Sequence, residues 1–247
     1  MTTSNARRHG LADAIRNAIQ SQTTIDPEPF LGLPLAEGFG IQAEIFRSFG
    51  QPLKGSKLTL KGGLCHSAPL LQVSENAQQP YQPGLSVEVE LAFVLGKDVV
   101  AGNGAVSRQD IVDAIAAVRI GAELLRSRYQ GGARGDQGLA VADFMSNIGY
   151  VLGPELGRHL LDQDAEIGRL LLVINSETAY DKVASHADGD PLKTIVALAN
   201  QTPMSPFPML KAGQVVTTGT LCGLVPVGAA GKVEINMAGR QFLLNVG

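Results

Sequence analysis

The 247-residue sequence predicts an α+β protein, with a helical N-terminal region at 1–56 and a β-rich body at 57–247 that acts with it as a single functional unit. Three observations point there. Apolar residues near the start recur at helical spacing. Alternating segments dominate from residue 57 onward. The helical patterns inside the body are too few to follow every strand, which argues against repeated βα units.

Leu11, Ala14, Ile15, Ala18 and Ile19 predict an amphipathic helix over 10–20, which the prolines of "QSQTTIDPEPFLGLP" break. A second helix is expected at 37–48, with Ile41, Ile45 and Phe46 on one side. "KLTLKG" at 57–62 alternates as a short strand, and the polar, Pro-rich 72–84 reads as a surface loop. In "SVEVELAFVLGKD", Val87, Val89, Leu91, Phe93 and Leu95 predict a strand. "GNG" at 102–104 predicts a turn. Ser107 with Asp110 forms a capping-box signature, and Ile111, Val112 and Ile115 continue that helix. "AVRIGAELL" at 117–125 reads as a strand with Arg119, Gly121 and Glu123 on one face. Further strands are expected in "IGYVLG" at 148–153 and "RLLLVINSETA" at 169–179. "GDPLKTIVALANQ" predicts a helix with Asp190 as N-cap and Pro191 at N1. The last third reads as strands and turns.

Hydrophobic residues make up 45% and charged residues 17% of the chain, as in an ordinary well-packed enzyme-sized protein. The net charge of −3 and the lack of a basic face argue against nucleic acid as a partner. The start, "MTTSNARRHG", has no apolar signal core. The longest aliphatic run, Leu170–Ile174, is too short to cross a membrane. Cys65 and Cys222 form no disulfide framework, so the expectation is a cytoplasmic protein with reduced thiols. The sequence contains no G-x-G-x-x-G, no P-loop, no G-x-S-x-G and no H-E-x-x-H or paired C-x-x-C.

The chemistry-bearing residues are carboxylates. Glu88 and Glu90 lie two apart on one strand and so point the same way. Like charges at that spacing repel unless something neutralises them. Glu123, flanked by apolar residues on another expected strand, is a third candidate. Carboxylate oxygens suit Mg²⁺ or Mn²⁺. Taken alone, E-x-E also fits a half-buried strand with its polar face in water.

"EGFGIQAEIFRSFGQPLKGSKLTLKGG", with Phe39, Ile41, Gln42 and then Lys61, Gly62 and Gly63, resembles the N-terminal signature of the 2-keto-4-pentenoate hydratase and 4-oxalocrotonate decarboxylase family, within the fumarylacetoacetate hydrolase superfamily. Glu88 and Glu90 before "FVL" resemble its E-x-E strand. Glu123 with Ser127 and Arg128 resembles its third glutamate. Ala142, Asp143 and Ser146 before "YVLG", and "AGQVVTTGT" at 212–220, complete a resemblance that runs in order along nearly the whole chain. It implies a mixed β-roll with an N-terminal helical part, and one Mg²⁺ or Mn²⁺ on Glu88, Glu90 and Glu123.

The implied activity is a lyase. The ion, chelated by a 2-oxo or 2-hydroxy-dienoic acid, acts as a Lewis acid, and water adds to the conjugated double bond in the catabolism of aromatic ring-cleavage products. A 4-oxalocrotonate-type decarboxylase, an acylpyruvate C–C hydrolase and a non-catalytic partner subunit are the alternatives. Lys61 would stabilise enolate charge. Asp143 and Ser146 would orient substrate or relay a proton. Gly219, Thr220 and His66 would contact substrate. Each also has a plain structural reading: a solvated lysine, turn and capping chemistry, a β-turn glycine and a structural histidine. The resemblance further implies a homo-oligomer, with room for a complex with a pathway partner enzyme. The chain departs from the family pattern in several places: residues 67–87 contain no aspartate where relatives carry an acidic loop, Glu75 being the sole acid there; Lys61 is followed by "GGLCHS"; Gly189-Asp190-Pro191 stands where the family has Gly-His-Pro; and Phe144 follows Asp143 where the family has Asn.

Overall fold

A computed structural model describes residues 3–99, 105–207 and 210–247. The turn expected at 102–104 lies outside them. The α+β expectation holds. Helices α1 (Thr3–Ser21) and α2 (Leu35–Ser48) precede a body with thirteen strands among the described residues, and both begin earlier than the periodicity suggests.

The first sheet runs β2 (Leu64–Pro69), β1 (Gly55–Lys61), β10 (Val215–Thr220), β5 (Ser86–Leu95), β6 (Ile115–Leu125), β7 (Asn147–Leu156) and β3 (Val73–Ser74), with β11 (Val225–Pro226) paired to β5. The second runs β4 (Gln78–Gln79), β13 (Arg240–Val246), β12 (Gly231–Met237), β8 (Arg169–Ile174) and β9 (Glu177–Val183). The polar 72–84 segment is therefore more than a loop. Its β3 pairs in parallel with β7 and its β4 with β13, so it stitches the two sheets together.

Alternation along β5 divides its side chains between two environments. Val87, Val89, Leu91 and Phe93 are buried in the core shared with Leu170 and Leu172 of β8, Val233 and Ile235 of β12 and Leu244 of β13. Each such side chain contributes roughly 1.5–3 kcal/mol on burial. Glu88 and Glu90 take the opposite face.

The stretch read as one strand at 169–179 is a hairpin. Asn175 and Ser176 both have positive φ, 51° and 70°, as a two-residue turn matched to strand twist requires. The capping box of Ser107 and Asp110 opens α3 (Arg108–Ala114) as expected. Helix α5 (Lys193–Asn200) starts later than Asp190 and Pro191 predict. Asp190 accepts from the Leu192 N–H (3.0 Å) and from Arg108 Nε (2.7 Å), so its carboxylate ties α5 to α3 and does not cap α5 directly.

Helices α1, α2 and α4 (Gln137–Ala142) bury a second apolar cluster that includes Leu11, Ile15, Ile41, Ile45 and Leu139. Gly38 of α2 lies against α4 so closely that a Cβ there would fall 2.3 Å from the Gly138 carbonyl oxygen. Gln42 of α2 donates to the Val141 carbonyl (2.7 Å). Asp136 caps α4 through the Leu139 N–H (2.9 Å) and also accepts from Gly32 N–H (2.7 Å), anchoring the chain before α2. No helix among the described residues is long and apolar enough to cross a membrane.

Candidate metal centre and active-site cavity

Strand register brings the three glutamates together. Glu88 of β5 sits opposite Glu123 of β6, and Glu90 sits opposite Gly121. Glu90 and Glu123 are buried and Glu88 is half-buried. Each offers a carboxylate oxygen, and the three oxygens lie within 4.8 Å of one another. Gly121 has no side chain because Tyr150 from β7 fills its place; a Cβ there would fall 1.8 Å from the Tyr150 hydroxyl.

The carboxylates are aimed by neighbouring side chains. Thr217 Oγ1 on β10 donates to Glu90 Oε2. Asn147 Nδ2 donates to Glu123 Oε1 (2.9 Å), and the Lys57 ammonium reaches the same oxygen at 2.7 Å. Glu123 Oε2 is buried and has no hydrogen-bond partner among the described residues. A buried, unpartnered carboxylate oxygen is costly unless something positive meets it. Together with two further carboxylates at ligand spacing, it fits a hard divalent cation.

Burial pushes the Glu90 carboxyl well above the usual carboxylate range, reinforced by Glu123 and resisted by Lys57. Burial also raises Glu88, against the pull of Lys57. Burial alone would lower the Lys57 ammonium, but Glu123, Glu90 and Glu88 outweigh it and hold its pKa above the ordinary value.

The site opens into a cavity of about 700 Å³. Lys57, Glu88 and Glu90 line one part of it; Lys61, His66, Ser146, Asp188, Gly219 and Thr220 line others. Lys61 lies on the same face of β1 as Lys57 but is exposed at the hairpin end, beside Gly62 and Gly63. Lys57 is the buried lysine at the glutamates. His66, across from Thr59 on β2, is buried edge-on against the Phe39 ring. Burial, and then the Lys61 charge, hold it below the usual histidine value.

Strand β10 loses register with β5 between Thr217 and Thr220. Within that irregularity Gly219 has φ +143°, and a Cβ there would press the His186 ring at 3.1 Å. The Asp188 N–H donates to His186 Nδ1 (3.2 Å), so the neutral ring presents Nε2–H to Thr218 Oγ1 (3.3 Å).

Asp143 is not on the cavity wall. It is sealed against Arg128, while Ser146, three residues on, does reach the cavity. Phe144, Met145 and Ser146, the three residues after Asp143, are all left-handed, with φ of 52°, 49° and 66°. The Met145 carbonyl accepts from Lys57 Nζ (3.3 Å).

The family model described as fumarylacetoacetate (FAA) hydrolase C-terminal matches residues 65–244. The chain belongs to the fumarylacetoacetate hydrolase family. None of the curated proteins matches its sequence. Among solved structures, 4-oxalocrotonate decarboxylase from Pseudomonas putida G7, complexed with magnesium and adipate, is 20% identical, with a TM-score of 0.76 over 100% of this chain and 99% of that one. A 2-hydroxyhepta-2,4-diene-1,7-dioate isomerase from Mycobacterium marinum is 20% identical, with a TM-score of 0.53 over 78% of this chain and 75% of that one. A putative fumarylpyruvate hydrolase from Burkholderia cenocepacia is 18% identical, with a TM-score of 0.51 over 78% and 88%. At these identities the likeness is one of fold.

In this fumarylacetoacetate hydrolase family member, sequence reasoning passed over Lys57, Thr217 as an orienting donor, Asn147 and Asp188. Period-2 alternation would have placed Lys57 beside Lys61 as a candidate. Nothing in the sequence signals that Asp188 folds over the cavity.

Proposed function

We propose that the chain is a metal-dependent lyase of short 2-oxo and 2-hydroxy-dienoic acids, and that its reaction is hydration of a 2-hydroxy-2,4-dienoate. One observation carries this reading: the unpartnered Glu123 Oε2, grouped with Glu88 and Glu90 beside a buried lysine at a 700 Å³ cavity. Glu88, Glu90 and Glu123 would hold Mg²⁺ or Mn²⁺, which would polarise the 2-oxo group and its neighbouring carboxylate as a Lewis acid.

The chain's own residues do the rest. Lys57 supplies fixed positive charge facing the enolate oxygen, in a setting dry enough for charge to count. Lys61 and His66 line the cavity beyond it and meet the rest of the substrate. Gly219 and Thr220 contribute backbone and hydroxyl groups to the wall, and Ser146 contributes a hydroxyl. Asp143 acts at one remove, by fixing the turn that delivers Met145 and Ser146. Residues 1–56 and 57–247 work as one unit, since α2 closes on α4, which itself lines the cavity. We place the enzyme in the cytoplasm as a homo-oligomer.

Decarboxylation is the second reading. It is favoured by the match over nearly both full chains to 4-oxalocrotonate decarboxylase. Two measurements test the assignment. Calorimetry should show Mn²⁺ binding that is lost when Glu88 and Glu90 are both changed to glutamine. Offered 2-hydroxypenta-2,4-dienoate and 4-oxalocrotonate separately, the Mn²⁺-loaded protein should convert the first to 4-hydroxy-2-oxopentanoate. Release of CO₂ from the second alone would establish the decarboxylase instead. Binding with turnover of neither would leave a non-catalytic relative.

A further inference from the structure

We propose that Asp188 is the carboxylate that moves the proton during water addition. The inference rests on the hydratase reading above. Residues 67–87 hold no aspartate, and their single acid, Glu75, is paired with Arg119. Asp143 is enclosed by Arg128 and is absent from the cavity wall. Beyond the metal-site glutamates, Asp188 is the one carboxylate among the described residues that lines the cavity.

Its placement is built. Asp188 follows β9 on the segment that leads to α5. Its N–H donates to His186 Nδ1 (3.2 Å), and His186 is buried and docked on Thr218 of β10 (3.3 Å). Thr217, one residue earlier, holds Glu90. The loop is thus fastened to the strand that also orients the metal site. Asp188 Oδ2 faces the buried Thr194 hydroxyl (3.4 Å), while Oδ1 accepts no hydrogen bond from the described protein residues. That leaves one oxygen of a half-buried residue for a water molecule.

The proton accounting closes on this residue. The dienol first ketonises: its 2-hydroxyl proton is released to solvent and C5 takes one up, giving the 2-oxo-3-enoate. Asp188 then takes a proton from water as the water oxygen bonds to C4. The electron pair of the double bond moves toward the 2-oxo end, leaving an enolate that Lys57 faces. Asp188 then returns the proton to the adjacent carbon as the ketone re-forms. In this addition one O–H bond of water and one C=C π bond break, one C–O and one C–H bond form, and Asp188 ends as the carboxylate it began; with the ketonisation, two O–H bonds break and two C–H bonds form overall.

The test compares wild type, Asp188→Asn and Asp188→Glu as full-length, Mn²⁺-loaded proteins. Calorimetry with Mn²⁺ and then oxalate reports the metal and the 2-oxo-acid end. Loss of dienol absorbance and appearance of 4-hydroxy-2-oxopentanoate report hydration. Asp188→Asn should bind Mn²⁺ and oxalate as wild type does, yet hydrate ~10²–10⁴-fold more slowly, with part of the rate recovered in Asp188→Glu. Hydration by Asp188→Asn at the wild-type rate overturns the proposal alone. Loss of Mn²⁺ or oxalate binding in that variant also overturns it, because the role would then be structural. Wild type that binds both but never hydrates the dienoate overturns the hydratase reading, and Asp188 with it.

Discussion

Arg128 and Asp143 form an ion pair in which each side chain is 1% exposed. The Asp143 carboxylate also accepts from Ser127 Oγ (3.0 Å) and the Arg128 N–H (3.1 Å). Arg128 in turn donates to the carbonyls of Asp143, Arg126 (2.9 Å) and Asn147 (2.8 Å). These bonds clamp both ends of a turn whose three central residues are left-handed. Non-glycine residues pay roughly 1–2 kcal/mol each for that conformation, so the turn persists because the clamp over-determines it. It serves the site at two points, through the Met145 carbonyl on Lys57 and Asn147 Nδ2 on Glu123.

Replacing Arg128 by Met should therefore cost about 3–5 kcal/mol, since a buried carboxylate is left unpaired. Urea denaturation measures it. Mn²⁺ affinity should fall in the same variant, because the turn that aims Asn147 relaxes. Full stability with intact Mn²⁺ binding would show that the clamp is dispensable.

Lys57 gives a prediction with two opposed signs. In the metal-free protein its ammonium neutralises one of three converging carboxylates. Lys57→Met should destabilise that form by about 3–5 kcal/mol. The same loss of positive charge should tighten Mn²⁺ binding, so added Mn²⁺ should raise the melting temperature of Lys57→Met more than that of wild type. Turnover should fall nonetheless, because the enolate loses its facing charge. Differential scanning calorimetry with and without Mn²⁺ separates these effects. An equal Mn²⁺-induced rise in both proteins would refute the opposition.

Thr217 and Asn147 touch the carboxylates without being ligands. Groups that orient ligands commonly contribute about 10–100-fold to metal affinity. Thr217→Val, which keeps the shape and removes the hydroxyl, should weaken Mn²⁺ binding by that order while leaving the fold intact. Titration calorimetry with circular dichroism checks both halves of the statement.

The E-x-E pair was legible because strand alternation has a period of two, and that period alone puts Glu88 and Glu90 on one face. The cross-strand register that sets Glu123 opposite Glu88 is not written in either segment. It depends on how β5 and β6 slide, and the bulk of Tyr150 over Gly121 helps to fix it. The lysine shows the same limit. Lys57 and Lys61 share a face, and the Gly-Gly that draws attention to Lys61 is the β1–β2 turn, which places that lysine in solvent. Lys57 is buried because it pairs with Thr217, about 160 residues away in sequence. Asp188 was invisible for a related reason: its position comes from His186 docking on Thr218 across the sheet.

The two buried histidines set the last prediction, the response to acid. His186 is held below the ordinary 6.5 by burial, against the opposing pull of Asp188 and Asp190 and a backbone hydrogen bond at Thr218. His66, facing the Phe39 ring edge and Lys61, is lowered from 6.5 by burial and then by the Lys61 charge. Both are neutral in the folded protein at neutral pH. As pH falls below 6.5 the unfolded chain takes up protons that the folded chain refuses, so proton binding favours unfolding. The histidine contribution to stability should therefore fall as pH drops below 6.5, opposed by Glu88 and Glu90, whose raised carboxyls favour the folded state as they take up protons. His186→Gln removes one of the two contributions. Measured without metal below pH 6.5, the urea midpoint of wild type should fall relative to that of His186→Gln as pH drops. Equal slopes would mean that His186 titrates alike in both states, and that its burial does not shield it.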